Sequence, residues 1–385
     1  MISTIKRFKI SETKGNTFYI KGRNIPKGCQ LCLRGAKVVL FLNGICQNPD
    51  HCSWYCPISE ERKGKDKTFA DEIQVFSHED LLIEINKINA KGMSITGGEP
   101  LLESNLEKTL DYIKYVKKMK GKKFHVHLYT NGINFNEYIA KELAEAGLDE
   151  IRFHPPKNKW EHIKFALNKG ISVGAEVPVI PEYDYSKNLE DFILLLNKIG
   201  AEFINLNEFE ICYPNSQYLK AKGFKLKKNT IASVENSKET AMNLVEKLAP
   251  HTSLKIHFCT IKAKDYHQLK NRYLRRAKTI KLPYEEITEE GLLIYAQIEI
   301  AEEISTTAKE LILSNFQIPE ELISIEKNRI KLPYYIALTD EFIDFLEDNK
   351  LEGFIEEIIP FRGKYCQITE RTPIKIFKQE IRGFK

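Results

Sequence analysis

The chain has 385 residues, 42% of them hydrophobic, and a formal net charge of +5. That length accommodates two or three domains with real cores, and so mild a charge does not by itself argue for nucleic acid. No stretch approaches the ~18–20 apolar residues that span a bilayer, and no basic start precedes a short apolar run, so neither export nor membrane insertion is expected and the location reads as cytoplasmic. Richness in Lys, Glu and Ile fits a chain from a hot environment. In a reducing compartment the eight cysteines are expected as metal ligands or reactive thiols, not disulfides.

Residues 1–35 read as an N-terminal extension carrying "KGCQLCLRG", a C-x-x-C at Cys29 and Cys32. From residue 36, short β-rich runs alternate with helical patterns, the signature of parallel βα units. Strands are predicted over 36–44, 92–96, 124–130, 150–155, 171–179 and 203–210, and helices over 104–119, 136–146, 159–168 and 188–199. In the first helix Leu106, Leu110, Ile113 and Val116 recur at helical spacing behind a Ser104 cap. Six such units, crossing over right-handedly, curl into a partial (βα)6 barrel or lie as an open doubly wound sheet. In both, ligands gather at the C-terminal ends of the strands. A polar insertion (212–236), a helix (237–249) and a seventh strand (254–260) complete an α/β domain over 36–268.

The basic run "LKNRYLRRAK" at 269–278 opens a linker, 269–284, and reads as a solvated helix face. Residues 285–385 then change order: strand (291–300), helix (302–314), strand (321–326), strand (329–334), helix (339–349), strand (353–360). A tight turn at Lys327 and Asn328 joins the middle pair. This β-α-β-β-α-β order predicts a C-terminal α+β ferredoxin-like domain, a fold that hosts many functions.

Three cysteines crowd into "CQNPDHCSWYCP", where Cys46, Cys52 and Cys56 directly follow the first strand. Zinc wants four ligands, whereas a [4Fe–4S] cluster held by three thiolates leaves one iron open. On the cysteines alone, a zinc loop completed by His51 or a distant Cys is the alternative. Strand two runs into "TGGEP", where Gly97 and Gly98 permit close backbone approach and Glu99 supplies an anionic acceptor. Strand three ends in "YTNG" with Thr130 and Asn131, strand four puts Glu150, Arg152 and His154 on one face, and Glu176 with Asn207 or Glu208 reach the same rim.

These motifs together resemble the radical S-adenosylmethionine (SAM) superfamily, and within it the archaeal proteins related to pyruvate formate-lyase activating enzymes, over roughly residues 26–276. The resemblance implies that Cys46, Cys52 and Cys56 are the catalytic cluster ligands and that SAM chelates the fourth iron. It implies Tyr55 near the adenine, Gly97, Gly98 and Glu99 on the amino group, Thr130 and Asn131 near the ribose, and Arg152 or His154 on the carboxylate. The family spaces its cysteines by three and then two residues; here the intervals are five and three. A few more residues in a flexible closure cost about 1 kcal/mol or less. His125, His127, Glu176 and Asn207 are candidates to orient a substrate on the barrel's inner face.

Cys29, Cys32 and Cys259, with His257 or Cys212 as fourth ligand, suggest a second metal site, an auxiliary iron–sulfur cluster or a zinc. Without a metal, Cys212 and Cys259 read as small buried hydrophobes and the C-x-x-C as free; Cys366 reads as packing or surface. The expected activity is reductive cleavage of SAM to a 5′-deoxyadenosyl radical that takes hydrogen from an RNA, a protein or a small metabolite. The expected partner is an electron donor of the ferredoxin or flavodoxin kind. The competing class is a non-catalytic iron–sulfur or zinc scaffold or electron carrier, which leaves the GGEP and TNG motifs without a role.

Overall fold

The computed structural model describes residues 8–47, 51–301 and 305–383. Residues 48–50 of the cysteine loop and 302–304 at the start of a predicted helix lie outside that set. The chain divides into two compact units, Met1–Asn86 with Ala90–Leu269, and Lys87–Asn89 with Lys270–Lys385. Among the described residues no helix is long and apolar enough to cross a membrane.

The first unit begins with a hairpin, β1 (Ile10–Glu12) and β2 (Phe18–Ile20), then α1 (Lys27–Leu33) and β3 (Lys37–Phe41). A second hairpin, β4 (Thr68–Ala70) and β5 (Ile73–Val75), precedes α2 (His78–Lys87). The remainder is β6 (Gly92–Thr96), α3 (Glu103–Lys120), β7 (His125–Thr130), α4 (Glu137–Ala146), β8 (Glu150–Phe153), β9 (Ser172–Val179), α5 (Tyr183–Ile199), β10 (Phe203–Glu208), α6 (Ser216–Ala221), α7 (Ser237–Leu248) and β11 (Lys255–Cys259). The strands form one sheet in the order β1-β2-β11-β10-β9-β8-β7-β6-β3-β4-β5. From β3 to β11 every neighbouring pair is parallel and the sequence order never reverses. A singly wound sheet follows, which rules out the doubly wound alternative: right-handed crossovers in a constant direction place the crossover helices on one face and leave the other to enclose an interior.

The strand alternation shows which face is which. Val38, Leu40, Met93, Ile95, Val126, Leu128, Ile151, Phe153, Ile204, Leu206, Ile256 and Phe258 are buried toward the helices. The opposite positions are polar, and the register stacks them: His127 beside Glu150, Tyr129 beside Arg152, Asn205 between Glu176 and His257, Asn207 beside Cys259. Parallel strands usually bury apolar residues on both faces. The polar inner face here marks an interior built for chemistry.

Several expectations are corrected. The described part of the expected extension, residues 8–35, joins the sheet: β2 pairs with β11 and α1 packs against β3, β6 and β7. The helix predicted over 159–168 is a run of 3-10 turns, Lys157–Ala166, in which Trp160, Ile163 and Ala166 recur at the three-residue period of that helix. Ser104 is no cap, since α3 starts at Glu103 and the carbonyl of Leu102 already accepts from Asn105 and Leu106. The hairpin β4–β5 and α2 were not anticipated.

Residues 269–284 are not a linker either, because α8 (Leu269–Ile280) is a regular helix. Its Arg276 is buried, donates to the Pro360 carbonyl at 2.5 Å and lies 4.0 Å over the Phe361 ring; Arg275 donates to the Ile88 carbonyl at 3.0 Å. The second unit continues with β12 (Glu286–Ile287), β13 (Leu293–Glu299), α9 (Ser305–Phe316), β14 (Ser324–Glu326), β15 (Arg329–Leu332), α10 (Tyr334–Ala337), α11 (Asp340–Asp348), β16 (Glu352–Ile358), β17 (Ile368–Pro373) and α12 (Ile374–Gly383). Its antiparallel order β14-β15-β13-β16-β17 is the ferredoxin-like arrangement with one strand added at the edge. The two-residue turn between β14 and β15 has Lys327 at φ +54°.

Candidate functional site

All the parallel strands deliver their C-terminal ends to one rim, where a cavity of about 360 Å³ opens. Cys46, Cys52 and Cys56 line it, and so do all eight residues expected around SAM, from Tyr55 to His154. Its lining comes from seven separate chain segments, which meet at one place.

The glycines of "TGGEP" serve a close approach of two backbones. Gly97 has φ +141°, and a Cβ there would stand 2.5 Å from the Asn43 carbonyl; one on Gly98 would stand 2.0 Å from the Ile45 carbonyl. With no side chain in the way, the Gly98 N–H donates to Asn43 at 2.7 Å and the Glu99 N–H to Ile45 at 2.9 Å. The segment leading into Cys46 is thereby stitched to the end of β6. The carbonyls of Gly97 and Gly98 accept no hydrogen bond among the described residues.

Glu99 is 2% exposed, and its carboxylate accepts from Leu101 N–H at 2.9 Å, Thr130 Oγ1 at 2.7 Å and Asn131 N–H at 2.7 Å. Burial pushes the carboxyl up to about 7, against the pull of these three donors. The side chain clamps the end of β6 to the end of β7 with three of its roughly four acceptor positions. Thr130 is spent on the same clamp. The Asn131 amide turns to the cysteine loop, with Nδ2 3.9 Å from Cys46 Sγ and Oδ1 accepting from Gln47 Nε2 at 3.3 Å.

The long cysteine spacing has its own support. Ser53–Tyr55 form a 3-10 turn between Cys52 and Cys56. Trp54 stacks on Phe224 at 6.0 Å, and Tyr55 meets Phe209 edge-on at 5.7 Å. Asn215 Nδ2 donates to the Tyr55 carbonyl at 3.0 Å, so the polar insertion holds the loop in place. His51 Nε2 lies 3.0 Å from the His154 carbonyl, and neither His51 nor Trp54 lines the cavity. Burial pushes the Cys46 and Cys52 thiols up to about 12, so binding iron there means displacing protons from both.

Arg152 and His154 both have partners within the protein. Arg152 is 3% exposed and is gripped by Glu150 at 2.5 Å and by Glu176. Burial opposes ionisation of Glu150, but the guanidinium beside it holds that carboxyl well below the usual range. His154 accepts from or donates to the Tyr55 hydroxyl at 3.0 Å, and desolvation pushes it down to about 3, so it is neutral. Lys63 and Lys264 are the other cations on the wall, and Lys264 pairs only loosely, 3.7 Å from Glu210.

A second chamber of about 180 Å³ shares Tyr129, Arg152, Glu176, Asn207 and Lys264 with the first. Cys29, Cys32, Cys259 and His257 line it, and Cys212 does not. His125 and His127 line neither space. They lie with Glu150 beside α1, where the Gly28 N–H donates to Glu150 at 3.1 Å and a Cβ on Gly28 would come 2.7 Å from the His127 ring, so they are not placed to orient a substrate. Lys37, Asn205 and Gln268 of the second chamber were not anticipated. Lys37 carried a signal, a charge on the inward register of an otherwise apolar strand; Gln268 carried none, because the π-helical turn Ala263–Gln268 that positions it has no simple sequence pattern. Cys366 is exposed in the second unit.

A family model described as the radical SAM superfamily matches residues 46–173. A Methanocaldococcus jannaschii protein with the provisional name glycyl-radical enzyme activating enzyme is 37% identical over 345 residues, 86% of each chain. A Staphylococcus epidermidis GTP 3′,8-cyclase is 25% identical over 213 residues, 51% of this chain and 59% of that protein. Among solved structures, Streptococcus suis SuiB bound to S-adenosylmethionine superimposes with a TM-score of 0.42 at 13% identity, over 67% of this chain and 59% of that one.

Proposed function

The chain belongs to the radical SAM superfamily, and we propose that Cys46, Cys52 and Cys56 hold a [4Fe–4S] cluster whose open iron takes SAM in the 360 Å³ cavity. Such a cluster, reduced, supplies the electron that cleaves SAM to methionine and a 5′-deoxyadenosyl radical. The observation that carries this reading is the shared cavity: three thiols bound it together with the ends of β3, β6, β7, β8, β9 and β10.

The residues then divide the work. The carbonyls of Gly97 and Gly98 are free to accept the SAM ammonium, while Glu99 keeps them in place through Thr130 and Asn131. Asn131 directs an N–H toward the Cys46 sulfur, the kind of contact that tunes a cluster's potential. Lys63 or Lys264 meets the carboxylate, since Arg152 is already neutralised. Tyr55 and its aromatic neighbours exclude water from one side.

For the substrate, the provisional name of the M. jannaschii relative supports a protein partner whose glycine loses a hydrogen atom, with a separate electron donor. RNA has less support, because Arg275 and Arg276 of the basic run are engaged within their own unit. The test is anaerobic reconstitution with iron and sulfide, reduction with dithionite, and addition of SAM. Release of 5′-deoxyadenosine that disappears in Cys56→Ala is the expected result. A cluster whose spectrum ignores SAM, with no 5′-deoxyadenosine formed, overturns the reading.

A further inference from the structure

Three thiols border the second chamber: Cys29 and Cys32, one helical turn apart on α1, and Cys259 at the end of β11. They surround a volume and do not meet at a point. Among the described residues, the His, Cys, Asp or Glu trio whose ligand atoms all lie within 4.8 Å of one another is His125, His127 and Glu150, not these thiols. The Gln268 amide stands between two of them, Oε1 accepting from the Cys32 thiol at 2.7 Å and Nε2 donating to Cys259 Sγ at 3.5 Å. A single zinc, with bonds of about 2.0–2.3 Å, would draw its ligands closer than that. A cube of irons and sulfides needs room between them. Cys46, Cys52 and Cys56 around the first cavity likewise form no trio within 4.8 Å.

The fourth corner belongs to His257, 1% exposed and lining the chamber. Its tautomer can be read link by link from Glu176. An ionised carboxylate only accepts, so Asn207 turns Nδ2 to Glu176 (2.9 Å) and its Oδ1 to Asn205 Nδ2 (3.2 Å). Asn205 is left facing His257 Nδ1 with Oδ1, which fixes the proton on Nδ1 and the lone pair on Nε2. That buried Nε2 has no partner. An acceptor hydrogen-bonded to one ring nitrogen, with the other nitrogen bare, is how a histidine is set to bind metal.

Lys37 supplies the complementary charge. It lines the chamber, is 8% exposed, and makes no hydrogen bond or ion pair among the described residues. A buried ammonium without an acceptor is costly, and thiolates on a cluster are acceptors of the missing kind.

We propose that Cys29, Cys32, Cys259 and His257 hold a second iron–sulfur cluster, whose chamber shares Tyr129, Arg152, Glu176, Asn207 and Lys264 with the SAM cavity. On loading, three thiol protons leave and three iron–sulfur bonds replace them, the His257 Nε2 lone pair goes to the fourth iron, and Gln268 withdraws from between Cys32 and Cys259. The site is built from residues that the first cluster does not use, and it stands or falls separately.

The experiment uses the full chain carrying Cys46→Ala, Cys52→Ala and Cys56→Ala together, which cannot hold the first cluster, reconstituted anaerobically with ferric iron, sulfide and dithiothreitol, the thiol supplying the electrons that reduce part of the iron. It is expected to retain iron and acid-labile sulfide in equal amounts, with visible absorption that dithionite bleaches. The reduced form is expected to show nitrogen hyperfine coupling that changes when histidine is supplied as the nitrogen-15 form. Adding Cys29→Ala and Cys32→Ala is expected to abolish the iron. Zinc alone, iron without sulfide, no metal, or a cluster without nitrogen coupling each overturns the proposal. The nitrogen measurement needs no change at the second site, so a folding failure of the five-fold variant does not decide the question.

Discussion

Replacing Glu99 by glutamine tests whether the clamp between β6 and β7 is electrostatic as well as geometric. The carboxylate accepts from Leu101, Thr130 and Asn131 at 2.9, 2.7 and 2.7 Å. A glutamine keeps one accepting oxygen and turns an NH2 toward a remaining donor, which costs about 1–3 kcal/mol. The pH dependence separates this effect from generic damage. Burial raises the wild-type carboxyl from its ordinary 4.5 to about 7, despite those three donors. Below 4.5 the folded and unfolded states both carry the proton; between the two values only the folded state keeps it; above 7 neither does. Wild-type stability therefore falls as pH rises through that window, by about 3 kcal/mol in all. Glu99→Gln has no proton to exchange there, so its disadvantage relative to wild type shrinks by the same amount as pH rises. Urea unfolding of the cluster-free protein, followed by tryptophan fluorescence, measures this for the first unit alone, because both tryptophans, Trp54 and Trp160, lie there. A difference between the two proteins that is constant across the window, or grows with pH, refutes the reasoning.

Gly98→Ala puts a Cβ 2.0 Å from the Ile45 carbonyl, a contact with backbone on both sides, so the segment entering Cys46 must move. Iron per chain after reconstitution should collapse while the far-ultraviolet circular dichroism stays native, and an undiminished iron content contradicts the account. Arg152→Met strands Glu150 and Glu176 in the interior without their cation, at a cost of about 3–5 kcal/mol at neutral pH. Burial opposes ionisation of both carboxyls and Arg152 overrides it, so the variant should recover part of its loss as pH falls and they protonate. An equal loss at pH values above and below the ordinary carboxylate range would show that the charge is not what matters.

The sequence by itself determined what repeats or clusters locally. Alternating positions in β7, β8 and β10 announced strands with one polar face, and three cysteines behind the first strand, with "TGGEP" and "YTNG" behind the next two, located the rim. The β-α-β-β-α-β order likewise foretold the ferredoxin-like sheet, since hairpin and crossover connections prune its topologies. Only the tertiary structure decided how each polar group is satisfied. Glu99 accepts hydrogen bonds from the next strand's end, Arg152 is held by two acids, and α1 lies against the inner strands. Hydrogen-bond partners come from strands brought together by the winding of the sheet, and nothing in a local residue pattern records which acceptor a buried donor will meet. Residue chemistry alone groups Cys29, Cys32, Cys259 and His257 as candidate ligands, whereas closing the sheet is what brings them to one chamber across the more than two hundred residues of chain between α1 and β11.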